Sequence, residues 1–246
     1  MGTFKLTDTV GDVVARRPVL SRMFEQANID YCCGGGRTLE EACRERGIDP
    51  PAFLAALEHT AAPVGTGQEI DVLTMSLTDL ADHVERTHHA YLRSELPQLD
   101  RMTEKVASVH GEKDSRLRGV RDVFVALSEE FFSHMMKEER ILFPMIRELD
   151  ASEDAPAFHC GTLAGPIRRM EMEHEEVGSA LERLRELTGG FAPPDWACST
   201  YHAMLDGLTR LEQDTHQHIH KENNVLFPRA LEMEDRKRAA LDRTVS

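Results

Sequence analysis

Apolar residues recur at every third or fourth position along most of the chain, and no stretch alternates apolar and polar residues as a strand does. The period is most regular over 76–149 and over 165–232, each long enough for two helices joined by a turn. Four helices with one apolar stripe each can bury those stripes against one another. The pattern therefore predicts an all-α fold with a C-terminal four-helix bundle.

The two periodic stretches share a motif. The segments His134–Pro144 and, 84 residues later, His218–Pro228 both read His-x-x-Lys-Glu-x-x-x-Leu-Phe-Pro. Upstream of each lies a histidine, His89 or His174, that heads an apolar stripe at i+3, i+7 and i+10. We interpret the two stretches as copies of one helix hairpin.

The repeated motif predicts a metal site. A His and a Glu four residues apart share one helix face, so each copy directs an imidazole and a carboxylate to one point. Burying such groups in an apolar core is costly unless metal ions satisfy them. We predict two non-haem iron ions that share an oxo or hydroxo bridge, bridging carboxylates from Glu138 and Glu222, and an open position for dioxygen or nitric oxide. The predicted ligands are His89, His134, Glu138, His174, His218 and Glu222.

Other ligand assignments compete with this one. His88 could replace His89, but that register would move the apolar stripe away from its counterpart after His174. Glu85 and Glu171 each stand three residues before a histidine, which is the ligand spacing of ferritin-like bundles. The ferritin-like assignment does not account for the His-x-x-x-Glu pairs on the other two helices. Apart from any metal site, those pairs could also be ordinary buried histidines and helix acids.

Several further histidines and acids are expected to stand apart from the irons. In a continuous helix His110 would lie about 31 Å from His89, because each residue adds about 1.5 Å. His216 and His220 flank a predicted ligand at i±2 and point to other faces. Glu139 and Glu173, which are neighbours of predicted ligands, could orient them or relay protons, although exposed helix acids are the commoner case.

The segment Tyr31-Cys-Cys-Gly-Gly-Gly36 is the second candidate for chemistry. We expect its glycines to free the backbone for positive φ and to leave the thiols of Cys32 and Cys33 unshielded. Such thiols could contact a metal or cluster, become nitrosated or exchange disulfides. Inert thiols remain the alternative from the residues alone.

Turn residues predict where helices begin and end. Thr7 or Asp8 can cap the first helix, and Thr38 with Glu41 forms a capping box for a later one. Asp195 is expected to cap the last bundle helix after two prolines, and Pro144 to bend or end the second.

The Pro- and Gly-containing run near residue 65 predicts a linker. We therefore expect a small helical Cys-Cys domain at 1–61, a linker at 62–74 and the bundle at 75–246. A domain of roughly 60 residues folds only marginally alone, so we expect it to dock onto the bundle or to form a homodimer.

Composition narrows the partners and the compartment. The net charge is −14, with 43 acidic and 29 basic residues, which disfavours nucleic acid and anionic membranes as partners. No apolar run reaches the roughly 18 residues of a membrane span, so we expect a cytoplasmic protein. Five cysteines, two of them adjacent, do not suggest a secreted disulfide framework, and we expect reduced thiols.

The paired hairpins resemble the hemerythrin family, and the whole chain, with Cys32 and Cys33 near its start, resembles the two-domain iron–sulfur cluster repair di-iron proteins. The resemblance implies a di-iron bundle, a cysteine domain active in repair, and damaged iron–sulfur proteins as partners. It implies protection against nitrosative or oxidative stress, by iron donation or by a nitric oxide reductase activity. A hemerythrin-type carrier or sensor of oxygen or nitric oxide, without turnover, is the alternative.

Overall fold

The structure, a computed structural model, describes residues 4–60, 71–159 and 161–245, except for the side chains of 242–245. Within these ranges it contains helices and no strand, which confirms the all-α prediction. None of the described helices is long and apolar enough to span a membrane. The α-helices are α1 (Val10–Arg16), α2 (Ser21–Gln26), α3 (Leu39–Glu45), α4 (Pro50–Thr60), α5 (Leu77–Val84), α6 (Ala90–His110), α7 (Arg116–Lys137), α8 (Phe143–Ala151), α9 (Ala164–Leu187), α10 (Ser199–Lys221) and α11 (Phe227–Val245).

Contacts divide the chain into two compact units. The cysteine unit comprises Met1–Ala81, Ile146–Ala157 and His216–Ser246, and the bundle unit comprises Asp82–Met145 and Phe158–Thr215. The predicted linker at 62–74 lies largely outside the described residues, which resume at residue 71. The domain boundaries drawn from the sequence stay predictions.

The bundle unit arranges parts of four long helices in a closed ring. Helix α7 packs against both α6 and α9. An Arg185–Glu212 ion pair joins α9 to α10, and Gly207 of α10 lies against Leu99 of α6. This ring confirms the predicted four-helix bundle. The predicted stripes are all buried in it, namely Leu92, Leu96 and Leu99 on α6 and Val177, Leu181 and Leu184 on α9.

Three π-helical turns widen the long helices, at Glu85–His89, Glu138–Leu142 and Glu222–Leu226. In the last two, the N–H of Phe143 donates to the Glu138 carbonyl and that of Phe227 to the Glu222 carbonyl. A proline follows each, and proline cannot donate the backbone bond of a regular helix. Of the two effects expected of Pro144, a bend or an end of the helix, the end does not occur, because the widened turn lets the helix continue to residue 151.

The cysteine unit has its own apolar core, built largely from the first four helices. The predicted capping box is confirmed, since Thr38 and Glu41 exchange side-chain and backbone hydrogen bonds at the start of α3. The cap of α1 is Thr9, which accepts a bond from the Asp12 amide, and the earlier assignment to Thr7 or Asp8 is wrong. Asp8 instead accepts bonds from the Lys5 amide and an arginine.

The last bundle helix begins three residues later than a cap at Asp195 predicts, because α10 starts at Ser199. The Ala197 amide donates to the Pro194 carbonyl over 2.8 Å, so a separate turn occupies that segment. The His202 amide donates to the Cys198 carbonyl at 3.0 Å, which makes Cys198 the residue that precedes the first helical turn.

Candidate metal centre

Four of the six predicted ligands lie in the bundle unit, and the structure brings them together. His89, His134, Glu138 and His174 are all at most 2% exposed. The Nε2 atom of His89 lies 3.2 Å from Oε2 of Glu138, and Nε2 of His134 lies 3.3 Å from Oε1. The two carboxylate oxygens of Glu138 thus face different imidazoles, as a carboxylate shared by two metal ions requires.

Local helix geometry places these side chains. His134 and Glu138 stand one turn apart, where α7 meets its π-helical turn, so they share a face. His89 closes the first π-helical turn, and His174 lies within the regular helix α9. Widened turns of this type are frequent at functional sites.

Two neighbouring acids hold the imidazoles in place. Glu173 accepts a hydrogen bond from Nδ1 of His134 at 3.0 Å, and Glu139 accepts one from Nδ1 of His89 at 2.7 Å. The structure thus supports the orienting role considered for both acids, rather than the exposed alternative. A carboxylate behind an imidazole fixes its ring and its tautomer, as it does in many metal sites.

Charged neighbours keep both acids ionised. The hydrogen bond from His134, followed by those from Lys137 and Arg169, lowers the pKa of Glu173 to about 2 although burial opposes this shift. At Glu139, burial also opposes ionisation, but hydrogen bonds from Arg93 and the imidazole outweigh it and lower the pKa.

The inner face of this cluster fits a cation. Because the proton of His134 stays on Nδ1, where it is donated in a hydrogen bond to ionised Glu173, the Nε2 atom of that ring carries a lone pair. This atom lies 3.1 Å from Nε2 of His174, and ligand atoms of both rings and Glu138 lie within 4.8 Å of one another. Imidazole nitrogens and a carboxylate oxygen facing inward form a donor set that suits iron, zinc or copper. The chain therefore contains a His/Glu cluster able to hold metal.

The second copy of the motif lies in the cysteine unit and has the same internal geometry. His218 Nε2 lies 3.1 Å from Glu222 Oε1, and both side chains are at most 1% exposed. Glu222 opens a π-helical turn, as Glu138 does in the first copy. Each copy thus presents one buried imidazole next to one buried carboxylate.

The cysteine segment is more enclosed than its glycines predicted. Cys32 is 6% exposed and Cys33 is half-buried, so the expectation of unshielded thiols is wrong for Cys32. Asp30 closes the loop by accepting bonds from three successive amides, at 2.9, 3.1 and 2.8 Å. The two Sγ atoms lie 3.9 Å apart as free thiols. A hydrogen bond with Cys33, followed by burial, raises the pKa of Cys32.

The glycines of this segment do not supply positive φ, a correction to the sequence prediction, and Gly35 serves close packing instead. None of the three is among the residues with positive φ. A Cβ added to Gly35 would stand 2.3 Å from Oδ1 of Asn224, and one added to Gly11 would stand 2.5 Å from it. The Asn224 amide group in turn donates to the Cys32 carbonyl at 2.9 Å and to the Tyr31 carbonyl at 3.3 Å.

The sequence did not reveal this contact. Asn224 follows Glu222 by two residues, so the turn that carries a predicted ligand also holds the cysteine loop. His220 is buried beside it, with Nδ1 3.3 Å from the Tyr31 carbonyl, and burial lowers its pKa to about 4. The ring of His216 lies 6.0 Å from that of Tyr31. Both histidines thus contact the cysteine segment.

The other residues considered as metal ligands do not face the buried His/Glu cluster. His88 is buried with Nδ1 2.9 Å from Asp214 Oδ1, while its neighbour His89 faces Glu138. Glu171 is exposed on the surface of α9, as no ferritin-like ligand would be. His110 lies at the end of α6, with Nε2 3.3 Å from the Cys198 sulfur.

Comparison with known proteins agrees with this geometry. Residues 80–230 match the family described as Hemerythrin HHE cation binding domain, and residues 6–61 match a domain of unknown function, DUF542. A protein named iron-sulfur cluster repair protein YtfE from Enterobacter sp. (strain 638) is 40% identical over 223 residues, which are 90% of this chain and 96% of that protein.

Proteins of the same name from Shigella boydii serotype 4 (strain Sb227) and Salmonella schwarzengrund (strain CVM19633) are 39% and 38% identical over the same shares of both chains. The hemerythrin match implies iron as the metal of the buried His/Glu cluster. The chain belongs to the hemerythrin family and, over nearly its full length, to the family of YtfE iron–sulfur cluster repair proteins.

Proposed function

We propose that the chain holds two non-haem iron ions, with Glu138 and Glu222 as the bridging carboxylates. The observation that carries this proposal is Glu138, whose two oxygens face two different imidazoles in a buried site. The second copy of the motif supplies an equivalent His218–Glu222 pair. Four imidazoles and two carboxylates provide two nitrogens and shared oxygens for each ion, a set that suits iron in both common oxidation states.

In this proposal the chain serves to orient the ligands and exclude water. Glu173 and Glu139 accept hydrogen bonds from the Nδ1–H groups of His134 and His89. The Nε2 lone pairs of both rings are therefore available to a metal ion. The ring of Phe143 stacks on His89 at 5.7 Å and covers it with apolar surface. Iron held by these residues would bind a small diatomic ligand and would change its oxidation state by one electron per ion.

We further propose that the chain repairs iron–sulfur clusters damaged by nitrosative or oxidative stress, through iron donation, nitric oxide reduction or both. The names of its relatives support this proposal, as does the cysteine loop held by Asn224 on the turn that opens with Glu222. Cys33 is the more exposed thiol of the pair and is therefore the one we assign to contact with the client protein. Damaged iron–sulfur proteins are the proposed partners.

The test is an anaerobic addition of nitric oxide to the reduced, iron-loaded protein. We expect nitrous oxide, chelatable ferrous iron, or both, in amounts comparable to the protein. Reversible nitric oxide binding with neither product would contradict the repair proposal and favour a carrier or sensor.

A second assay follows the recovery of an iron–sulfur enzyme inactivated by nitric oxide. A Cys32→Ser/Cys33→Ser variant should keep its iron and yet restore the enzyme more slowly than the parent. Cys198→Ser, which removes an exposed thiol elsewhere, is the matched control. Recovery at the parent's rate with the double variant would show that the two cysteines have no part in repair.

A further inference from the structure

The bundle unit holds a second pair of chemically active side chains, at the turn between α6 and α7. Cys198 precedes the first turn of α10 and is exposed, while His110 is the last residue of α6. The distance from the Cys198 Sγ atom to Nε2 of His110 is 3.3 Å, although the two residues are 88 positions apart in sequence. The pair belongs to none of the functions assigned above.

This position favours the thiolate form of the cysteine. An imidazole at hydrogen-bond distance can take the thiol proton and remain beside the negative charge as imidazolium. The sulfur also faces the start of a 23-residue helix, where the backbone amides carry partial positive charge. The hydrogen bond with His110, followed by that with the Tyr201 amide, lowers the pKa of Cys198 to about 7.

Aromatic rings hold His110 in place. Its ring lies 5.5 Å from that of Trp196 and 6.1 Å from that of Tyr201, and the last two rings are 5.8 Å apart. Three rings in mutual contact fix the imidazole with Nε2 towards the sulfur. A cysteine that served only as a helix cap would not need a clamped imidazole, because the hydroxyl of a serine makes the same cap.

The charged groups of the turn balance one another. The ammonium of Lys113 lies over the Trp196 ring at 4.2 Å from its centre. Arg116 is bound to Asp114 at 2.7 Å, and Glu112, next to Lys113, is exposed. The turn therefore carries two acids and two bases and favours neither an anionic nor a cationic reagent.

We propose that Cys198 is a modification site, at which its thiolate attacks low-molecular-weight disulfides. The Cys198 sulfur forms a new bond to one sulfur of the reagent, whose own sulfur–sulfur bond breaks. The departing thiolate keeps the electron pair of that bond and takes the proton that His110 received. The products are a mixed disulfide on Cys198 and one free thiol, so no further oxidant is needed.

The experiment exposes the full-length reduced protein to glutathione disulfide at pH 5.5 to 9.5 and follows each cysteine peptide by mass spectrometry. We expect the Cys198 rate to rise with a midpoint near pH 7 and then level off. His110→Gln should move the midpoint toward roughly 8.5, the value of an ordinary thiol. Because thiolates of lower pKa are weaker nucleophiles, the rate at pH 7 should fall only about threefold.

Two control variants sharpen the test. His202→Gln removes an exposed histidine of the same helix and should leave midpoint and rate unchanged. Lys113→Gln removes the ammonium over the Trp196 ring and should leave the midpoint near 7. The fluorescence of Trp196, the single tryptophan of the chain, should change as the mixed disulfide forms.

Two outcomes would overturn the proposal: a wild-type midpoint near 8.5, or a midpoint that stays near 7 in His110→Gln. Circular dichroism establishes that the variant is folded. Should it not fold, the wild-type midpoint and the Trp196 fluorescence titration still decide the question.

Discussion

The two copies of the His-x-x-Lys-Glu motif are alike on the face turned inward and different on the face turned outward. Inside, His134 pairs with Glu138 at 3.3 Å and His218 with Glu222 at 3.1 Å. Outside, Ile141 of the first copy is 54% exposed, while its counterpart Val225 is 1% exposed. One copy therefore meets solvent where the other is covered.

The outward residues of the two copies contact different parts of the molecule. In the first copy, Glu139 accepts a hydrogen bond from the imidazole of His89 and so orients a predicted ligand. In the second copy, Asn224 donates to the Cys32 carbonyl and so positions the cysteine loop. The two copies thus share the geometry of the His–Glu pair and differ on the outer face, which supports a predicted ligand in one copy and contacts the cysteine loop in the other.

The largest expected effect comes from the inner face. His134→Ala and His218→Ala should each remove most of the iron, because a site that shares carboxylates loses both ions when one half fails. His216→Ala, next to the second motif, should keep the parent's iron content. Metal analysis checks this prediction, and an unchanged iron content in either ligand variant would show that the two copies are not equivalent.

A smaller effect is expected from the acids behind the imidazoles. Glu139→Gln or Glu173→Gln should weaken iron binding by about 10–100-fold, since neither amide can hold an imidazole as an ionised acceptor does. Competition with a ferrous chelator measures the affinity. Glu129→Gln, an exposed acid on α7, serves as the control and should bind as the parent does.

The cysteine loop should respond to a single methyl group. Gly35→Ala should cost about 3 kcal/mol of folding stability, because its Cβ would meet Oδ1 of Asn224 and the Tyr31 carbonyl oxygen. Gly36→Ala, with nothing within 4 Å of the added atom, should cost far less. Thermal or denaturant unfolding gives both values.

A double variant isolates the contact itself. Asn224→Ala combined with Gly35→Ala should be less destabilised than the sum of the single variants, because the shorter side chain leaves room for the methyl group. Additive effects would mean that the loop does not rest on Asn224 in solution.

The smallest effects separate the outer faces of the two copies. Val225→Ala should cost about 1–2 kcal/mol for the buried methyl groups that it removes. Ile141→Ala should change the free energy of unfolding by at most about 0.5 kcal/mol, because that side chain is exposed. Equal costs at the two positions would contradict the difference in burial.

Much of the fold and part of the site follow from periodicity alone. The spacing of His134 and Glu138 fixed their common face, and the stripes after His89 and His174 identified the buried side of two helices. The same register argument separated His89 from His88, which the structure turns toward Asp214. Such inferences succeed because one helix repeat governs both the apolar stripe and the polar residues at its end.

Other features depend on contacts that no local pattern encodes. The π-helical turn after Glu138 adds one residue to a turn, and Pro144 was its only local sign. Asn224 and Cys32 are 192 positions apart, so their hydrogen bond follows from the packing of the cysteine unit. Asp195 is expected to start a helix because aspartate favours the cap position. In the structure, a separate turn closed by the Ala197–Pro194 hydrogen bond occupies this segment instead.

The most direct test of the paired-motif account is the metal content and Mössbauer spectrum of protein loaded with ⁵⁷Fe. We expect about two irons per chain, magnetically coupled through shared ligands, and loss of that coupled signal in both Glu138→Gln and Glu222→Gln. Well-loaded protein that holds zinc without iron-dependent absorption in the near ultraviolet, or that holds uncoupled single irons, would contradict it.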